Sequence, residues 1–262
     1  MDLLQTGLAI VSGMLVGFTL GLIGGGGSIM ATPLLLYVVG LQPHMAIGTG
    51  ALAVSVNSFA NFAGHARAGN VRWRSAILFA VVGAVGAVLG SLLGKTFDGQ
   101  RLLFLFAILM VVVGVLMLRR GRTNRSEPVP GQEPKEEHSR PLLVMVAALG
   151  VGLLSGFFGI GGGFLIVPGL LLSTGMAMID AVGSSLLAVG SFGLTTAVSY
   201  AFSGLVDWLV AIEYIAGGLL GGWLGMLLAV RLAPRKALLN QVFAGFVFVV
   251  TAFMLYRNMG AL

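Results

Sequence analysis

Apolar residues run along this chain in long stretches, and polar residues gather at the breaks between them. The stretches cover about residues 4–23, 28–40, 44–64, 74–94, 101–118, 141–158, 163–175, 179–203, 208–230 and 236–256. Many approach the ~20 residues an α-helix needs to cross a bilayer. The pattern predicts an all-α integral membrane protein. One stretch, 119–140, is different. It holds Arg119, Arg120, Arg122, Arg125, Glu127, Pro128, Pro130, Glu133, Pro134, Lys135, Glu136, Glu137 and Arg140. Polar, charged and proline-bearing, it reads as a linker. The chain then divides into a first membrane repeat at 1–118, a charged cytoplasmic linker at 119–140 and a second membrane repeat at 141–262.

The two membrane parts are copies. Residues 21–97 align without a gap on 156–232 at a constant offset, 168 − 33 = 135, set by Pro33 and Pro168. Gly21, Gly24, Gly26, Gly27, Gly40, Gly48, Gly69, Trp73, Gly83, Gly86 and Gly90 all fall on identical residues. Duplicated halves in so apolar a chain point to a transporter whose site lies where the halves meet. Each half holds about five helical elements, and an odd number of crossings would invert the second half. Charge supports inversion. Loop 65–74 carries Arg67, Arg72 and Arg74, whereas its copy, 200–209, has no Lys or Arg and has Asp207 in place of Arg72. Basic residues collect in cytoplasmic loops, so the two loops are expected on opposite sides. Loop 231–236 and the linker then lie in the cytoplasm, with both termini outside if every element crosses. Loop 95–101, with Lys95, Asp98 and Arg101, falls outside and runs against the rule.

Composition narrows the function classes. The 262 residues are 57% hydrophobic and 9% charged, with mean hydropathy +1.01. An average soluble domain is about a quarter charged. The net charge of +6 reads as topogenic, with no basic face that would suit nucleic acid. Cysteine is absent, which excludes disulfides and thiolate metal sites. No cleavable leader is evident in Met1-Asp2-Leu3-Leu4. His44, His65 and His138 have no metal-ligand spacing, and no Ser-His-Asp set is visible, so no catalytic residue, metal or cofactor is expected.

Glycine marks the candidate chemistry. Gly24-Gly25-Gly26-Gly27-Ser28 and Gly159-Ile160-Gly161-Gly162-Gly163 each separate two apolar runs and carry no basic residue. The runs that follow hold about 13 residues, about 20 Å of helix against a hydrocarbon core of ~30 Å. Glycine costs a helix about 1 kcal/mol relative to alanine, so clusters favour unwinding. The expectation is two broken or short helices near the midplane, with Ser28 as N-cap or ligand and Pro33 and Pro168 in the early turns. Free N–H groups and the macrodipole at such a helix start attract an anion. Gly24, Gly26, Gly27, Ser28, Gly161, Gly162 and Gly163 are therefore candidate substrate-binding residues. Plain helix packing or a surface turn is the competing account of the same glycines.

Polar stripes follow each break. Ala46-Ile47-Gly48-Thr49 is copied as Ala181-Val182-Gly183-Ser184. Asn57, Asn61 and His65 share one helical face, as do Ser191, Thr195 and Ser199, with Ser185 and Thr196 alongside. Lipid-facing helices do not keep asparagine, so these faces are expected to look into protein or a pathway. Thr49, Asn57, Asn61, Ser184, Ser185 and Thr195 join the substrate-binding candidates, against the alternative of interhelical glue at about 0.6 kcal/mol per contact. Glu213, about five residues beyond Trp208, is the proton-coupling candidate, against an interfacial carboxylate reaching water. Asp180 reads as an N-terminal helix residue.

Gly21-Leu-Ile-Gly-Gly-Gly-Gly-Ser-Ile-Met-Ala-Thr-Pro33, Ala46-Ile-Gly-Thr-Gly-Ala-Leu-Ala-Val54 and Gly69-Asn-Val-Arg-Trp73, each repeated in the second half, resemble the sulfite exporter TauE/SafE family. The resemblance covers nearly the whole chain except the linker. It implies a multi-pass transporter of the bacterial inner membrane that moves sulfite, thiosulfate or organosulfonates, driven by the proton motive force. Gly50 departs from the serine that many members carry there, whereas Ser185 keeps it. The expected partners are a small anionic substrate and the lipid bilayer, with no nucleic acid; a homo-oligomer is possible. The competing functions are a passive anion channel, a permease for another small organic anion, and a membrane-bound accessory protein.

Overall fold

Within the described residues, the apolar runs fold as helices within a few residues of where the sequence places them. The computed structural model describes residues 3–99, 141–159, 163–176 and 178–232, together with 101, 102, 104–106, 108, 109 and 112, which are helical. The charged linker and the run at 236–256 lie outside the described residues. Helix α1 is Leu3–Ile23, followed by a tight 3-10 segment, Gly24–Met30, and a short α2, Ala31–Tyr37. Helices α3, Pro43–Arg67, and α4, Trp73–Gly94, complete the described core of the first repeat. The second repeat supplies α5, Pro141–Phe158; α6, Gly163–Thr174; α7, Met178–Ala201; and α8, Trp208–Leu232. Among the described residues there is no strand, and α1, α4, α7 and α8 are long and apolar enough to cross a membrane.

Local sequence explains the boundaries. Pro43 begins α3 after an extended Gln42, where its missing N–H costs nothing. Asp207 caps α8, its Oδ1 accepting from the N–H groups of Leu209 and Val210 at 3.1 Å each. Arg72, the copy of Asp207, makes no such cap before α4 and pairs instead with Asp180. The acid in the second copy thus has a local reason, the cap it makes. Backbone conformation repeats too. Among the described residues the glycines with positive φ are Gly24, Gly40, Gly69, Gly159, Gly175 and Gly204, three pairs at the 135-residue offset.

The two repeats interlock. Helix α1 packs on α8 of the other repeat, and α5 packs on α4. A Cβ on Gly13, Gly17 or Gly21 would strike the backbone of Tyr214, Gly218 or Gly222. The same exchange joins Gly152 to Gly83 and Gly156 to Ala87, at the offset positions. Small residues every fourth position let helix backbones touch, the close packing used by helices in lipid. These registers rise together, so α1 runs parallel to α8 and α5 parallel to α4. Asn57, Asn61 and Gly64 meet Gly218, Gly222 and Met226, so α3 also runs parallel to α8. In contrast, α3 meets its own copy α7 with falling register, Ala51 beside Gly193 and Phe59 beside Gly190. Where they cross, Ser55 donates to the carbonyl of its own copy, Gly190, at 2.8 Å.

Helices α3 and α7 form the centre, and the others surround them. The outer faces of α1, α4, α5 and α8 expose Leu15, Val81, Leu89, Val146, Ile212 and Leu220. Trp73 and Trp208 stand half-exposed at the starts of α4 and α8, a place where amphipathic rings suit a membrane interface.

Candidate substrate site

The first glycine-rich break, and the two described ends of the second, Gly159 and Gly163, lie in the middle of the molecule. Gly24 ends α1 with φ +73° and Gly159 ends α5 with φ +66°, a left-handed turn open to glycine without steric cost. Gly24 then lies against Val182, and Gly159 against Ile47, which are copies of one another. The first break is not unwound as the glycine count predicts. It winds as a 3-10 helix of seven residues, Gly24–Met30, longer than such helices usually run. Packing supplies the reason, since a Cβ on Gly27 would strike the backbone of Thr19 and Leu20, the last turns of α1. Ser28 is fully buried but is no N-cap. Its hydroxyl donates to the Gly25 carbonyl at 2.9 Å, within the 3-10 turn. Pro33 falls in the first turn of α2, while Pro168 lies beyond the first turn of α6.

The two breaks touch. A Cβ on Gly25 would stand 2.7 Å from the Cα of Gly163, and one on Gly163 would strike the Gly25 carbonyl. The Gly25 N–H donates to the Ser185 hydroxyl at 3.2 Å, and that hydroxyl donates onward to the Val182 carbonyl at 2.7 Å. Ser185 thus occupies a backbone donor of the other repeat. Gly26 belongs to the same 3-10 segment, whereas Gly161 and Gly162 lie outside the described residues. The polar groups brought together here are neutral hydroxyls and backbone amides.

The threonine and serine of the copied Ala-x-Gly motifs have a role their sequence did not reveal. Thr49 Oγ1 accepts from the Asp207 N–H at 2.9 Å, and Ser184 Oγ accepts from the Arg72 N–H at 2.9 Å. These are one contact made twice, since 184 − 49 = 135 and 207 − 72 = 135. The neighbouring glycines make the approach possible, Gly48 lying on the Leu205 carbonyl and Gly183 on the Asn70 carbonyl. Each repeat's second turn therefore docks on the start of the other repeat's central helix. Among the described residues, one of the two docks carries an ion pair, Arg72 Nε to Asp180 Oδ2 at 2.8 Å.

The remaining candidates lie apart from the breaks. Asn57 and Asn61 are buried between α3 and α8, with Asn61 Nδ2 donating to the Asn57 carbonyl at 2.8 Å. Thr195, half-buried, donates to the Ser191 carbonyl at 2.8 Å within its own helix. Glu213 is held by α1, its Oε1 accepting from the Thr6 hydroxyl at 2.9 Å. Tyr214, fully buried beside it, escaped the sequence reading because a lone tyrosine in an apolar run gives no signal.

Long apolar helices, interlocked copies and breaks that meet at the centre define a helical membrane protein of the transporter class. The chain belongs to the sulfite exporter TauE/SafE family, whose model matches residues 9–254. A "Probable membrane transporter protein" of Xylella fastidiosa strain Temecula1 is 55% identical over 97% of each chain. The Bacillus subtilis "Probable membrane transporter protein YunE" is 26% identical, over 83% of this chain and 86% of its own. No solved structure matches it. It is a membrane transporter of that family.

Proposed function

We propose that this protein is a secondary transporter of small sulfur-containing anions, sulfite or an organosulfonate, in the inner membrane of a bacterial cell. The observation that carries the reading is the contact of Gly25 with Gly163, with the Gly25 N–H held by Ser185 of the other repeat. An oxyanion is well suited to replace a hydroxyl as the acceptor of that N–H, and neutral donors hold it weakly enough to release it. The opposed run of α3 and α7 supports inversion of the repeats across the bilayer. In that arrangement the docks at Thr49 and Ser184 lie at opposite faces, and opening one while the other stays closed gives alternating access. The proton motive force supplies the energy, with Glu213 as the carboxylate that takes the proton.

Purified protein in liposomes tests the proposal with labelled sulfite, thiosulfate and taurine. Accumulation driven by an imposed pH gradient and collapsed by a protonophore is the expected result. Downhill flux with channel-like conductance would establish a passive anion channel instead. No flux of any of these anions under either gradient overturns the reading. A thermal-shift series adding sulfate and sulfoacetate identifies the anion, because a ligand stabilises the state it binds.

A further inference from the structure

The seams on either side of the central helices are copies in backbone and unlike in side chains. Between α1, α3 and α8 lie Asn57, Asn61, His65, Glu213 and Tyr214. At the offset positions between α4, α5 and α7 stand Phe192, Thr196, Tyr200, Leu78 and Phe79. In the second seam Phe79 and Phe192 form a stacked pair, ring centroids 6.3 Å apart, and the unpartnered polar groups are two hydroxyls, Thr196 and Tyr200. In the first seam, Asn57 and Tyr214 are fully buried. The Asn57 amide nitrogen and oxygen, the Tyr214 hydroxyl and Glu213 Oε2 are buried with no hydrogen-bond partner among the described residues. Each such group left dry costs about 1–3 kcal/mol. Four of them together would consume much of the ~5–15 kcal/mol by which a folded protein is stable. A bridging water satisfies such groups at ~0–2 kcal/mol each.

The polar residues form a column. Asn57, Asn61 and His65 rise along α3 at four-residue intervals while Tyr214, Gly218 and Gly222 rise along the parallel α8. At one end Glu213 is tied to Thr6 of α1. At the other, Asn61 and the buried His65 ring lie beside the backbone of Gly21, three residues before the glycine break. The ionisable side chains of these elements are few. Helix α1 has none, α3 adds His44 and Arg67, and α8 adds Arg231. Tyr200 lies by the start of α3, its side chain beside Gly48 and its ring 6.3 Å from that of His44, whereas the Asp180–Arg72 pair belongs to the dock against α7.

We propose that the α1/α3/α8 seam holds water and is the proton route of this transporter, separate from the anion site; the second seam has Leu78 in place of Glu213 and Phe192 in place of Asn57, so its Thr196 and Tyr200 hydroxyls have no carboxylate to serve. The inference rests on the proton-coupled reading above. A proton taken up by Glu213 passes through water held by Tyr214 and Asn57 and leaves at His65, one in for one out. The asparagines orient the water and are not themselves protonated. Because His65 and Asn61 abut Gly21, the proton's passage is felt where α1 turns into the glycine break.

Two measurements test this. Radiolytic footprinting of the intact protein in 18O-labelled water reads hydration without any substrate. Tyr214 is expected to take up label while Phe79 and Phe192 stay protected; a protected Tyr214 overturns the proposal. Tyr214→Phe, which copies the residue at position 79, is then compared with wild type in liposomes. Uptake driven by the pH gradient is expected to fall about tenfold, the size of one lost hydrogen bond. Anion-for-anion exchange, which moves no net proton, should stay within about twofold. Both activities unchanged, or both lost together in a protein of unchanged thermal stability, would contradict it. Failure of wild-type exchange and uptake alike would sink the transport reading, leaving the footprint to judge the seam.

Discussion

Gly25 has no room for any side chain. An alanine there would press its Cβ to 2.7 Å from the Gly163 Cα, and both residues are main chain of packed turns that cannot move independently. Gly25→Ala is expected to lower stability in detergent by about 1–3 kcal/mol, the usual cost of overpacking, and to abolish transport. Gly7 is the control, because a Cβ at Gly7 meets nothing within 4 Å. Gly7→Ala should be neutral or stabilising by up to about 1 kcal/mol, as helix propensity dictates. Thermal unfolding of the two variants checks this; equal effects would mean that the contact between the breaks is not what constrains Gly25. Thr49 and Ser184 make a second residue-scale prediction. Thr49→Val and Ser184→Ala each remove the acceptor of a backbone N–H and should each cost about 1 kcal/mol. A free ride for both would mean that the docks are held by packing alone.

The elements show what the sequence could and could not reveal. Apolar run length placed α1, α4, α5, α7 and α8 to within a few residues, because lipid imposes one length on every crossing. Helix α3 falls on the apolar run 44–64, although its buried asparagines make it too polar to stand among the long apolar helices. The glycine breaks were legible as interruptions and not as conformations. Propensity predicts unwinding at Gly24–Gly27, but tertiary packing against α1 and α6 winds the segment into a 3-10 helix, and Ser28 turns its hydroxyl inward instead of capping. Thr49 and Ser184 were picked out by repetition, yet the groups they hold belong to the other repeat, and no local pattern encodes a partner 158 or 112 residues away. The Asp180–Arg72 pair distinguishes the two docks as elements. Replacing both residues in exchange, Asp180→Arg with Arg72→Asp, should restore transport weakened by either change alone; a double variant no better than the singles would show that the pair does not act as a latch. With the Arg72 side chain 58% exposed, the pair is expected to matter for access more than for stability.

At the scale of the whole molecule, the halves complete each other. Helix α1 finds its packing partner in the second repeat and α5 finds its partner in the first, so neither repeat buries its glycine faces alone. The two breaks meet only because the repeats interlock about the crossing of Ser55 with Gly190. The same arrangement places Asn57, Asn61 and Glu213 in one seam and Phe192, Thr196 and Leu78 at their copies in the other.

Inversion across the bilayer is the claim on which the transport account depends, and the absence of cysteine makes it directly measurable. Ala68 and Ser203 are copies of one another, 203 − 68 = 135, and both are exposed in the turns that follow α3 and α7. Single-cysteine variants at these positions are treated in intact cells and in inverted vesicles with a membrane-impermeant maleimide. The account predicts that Ala68→Cys reacts only from the cytoplasmic face and Ser203→Cys only from the outer face. Labelling of both from the same side would contradict it.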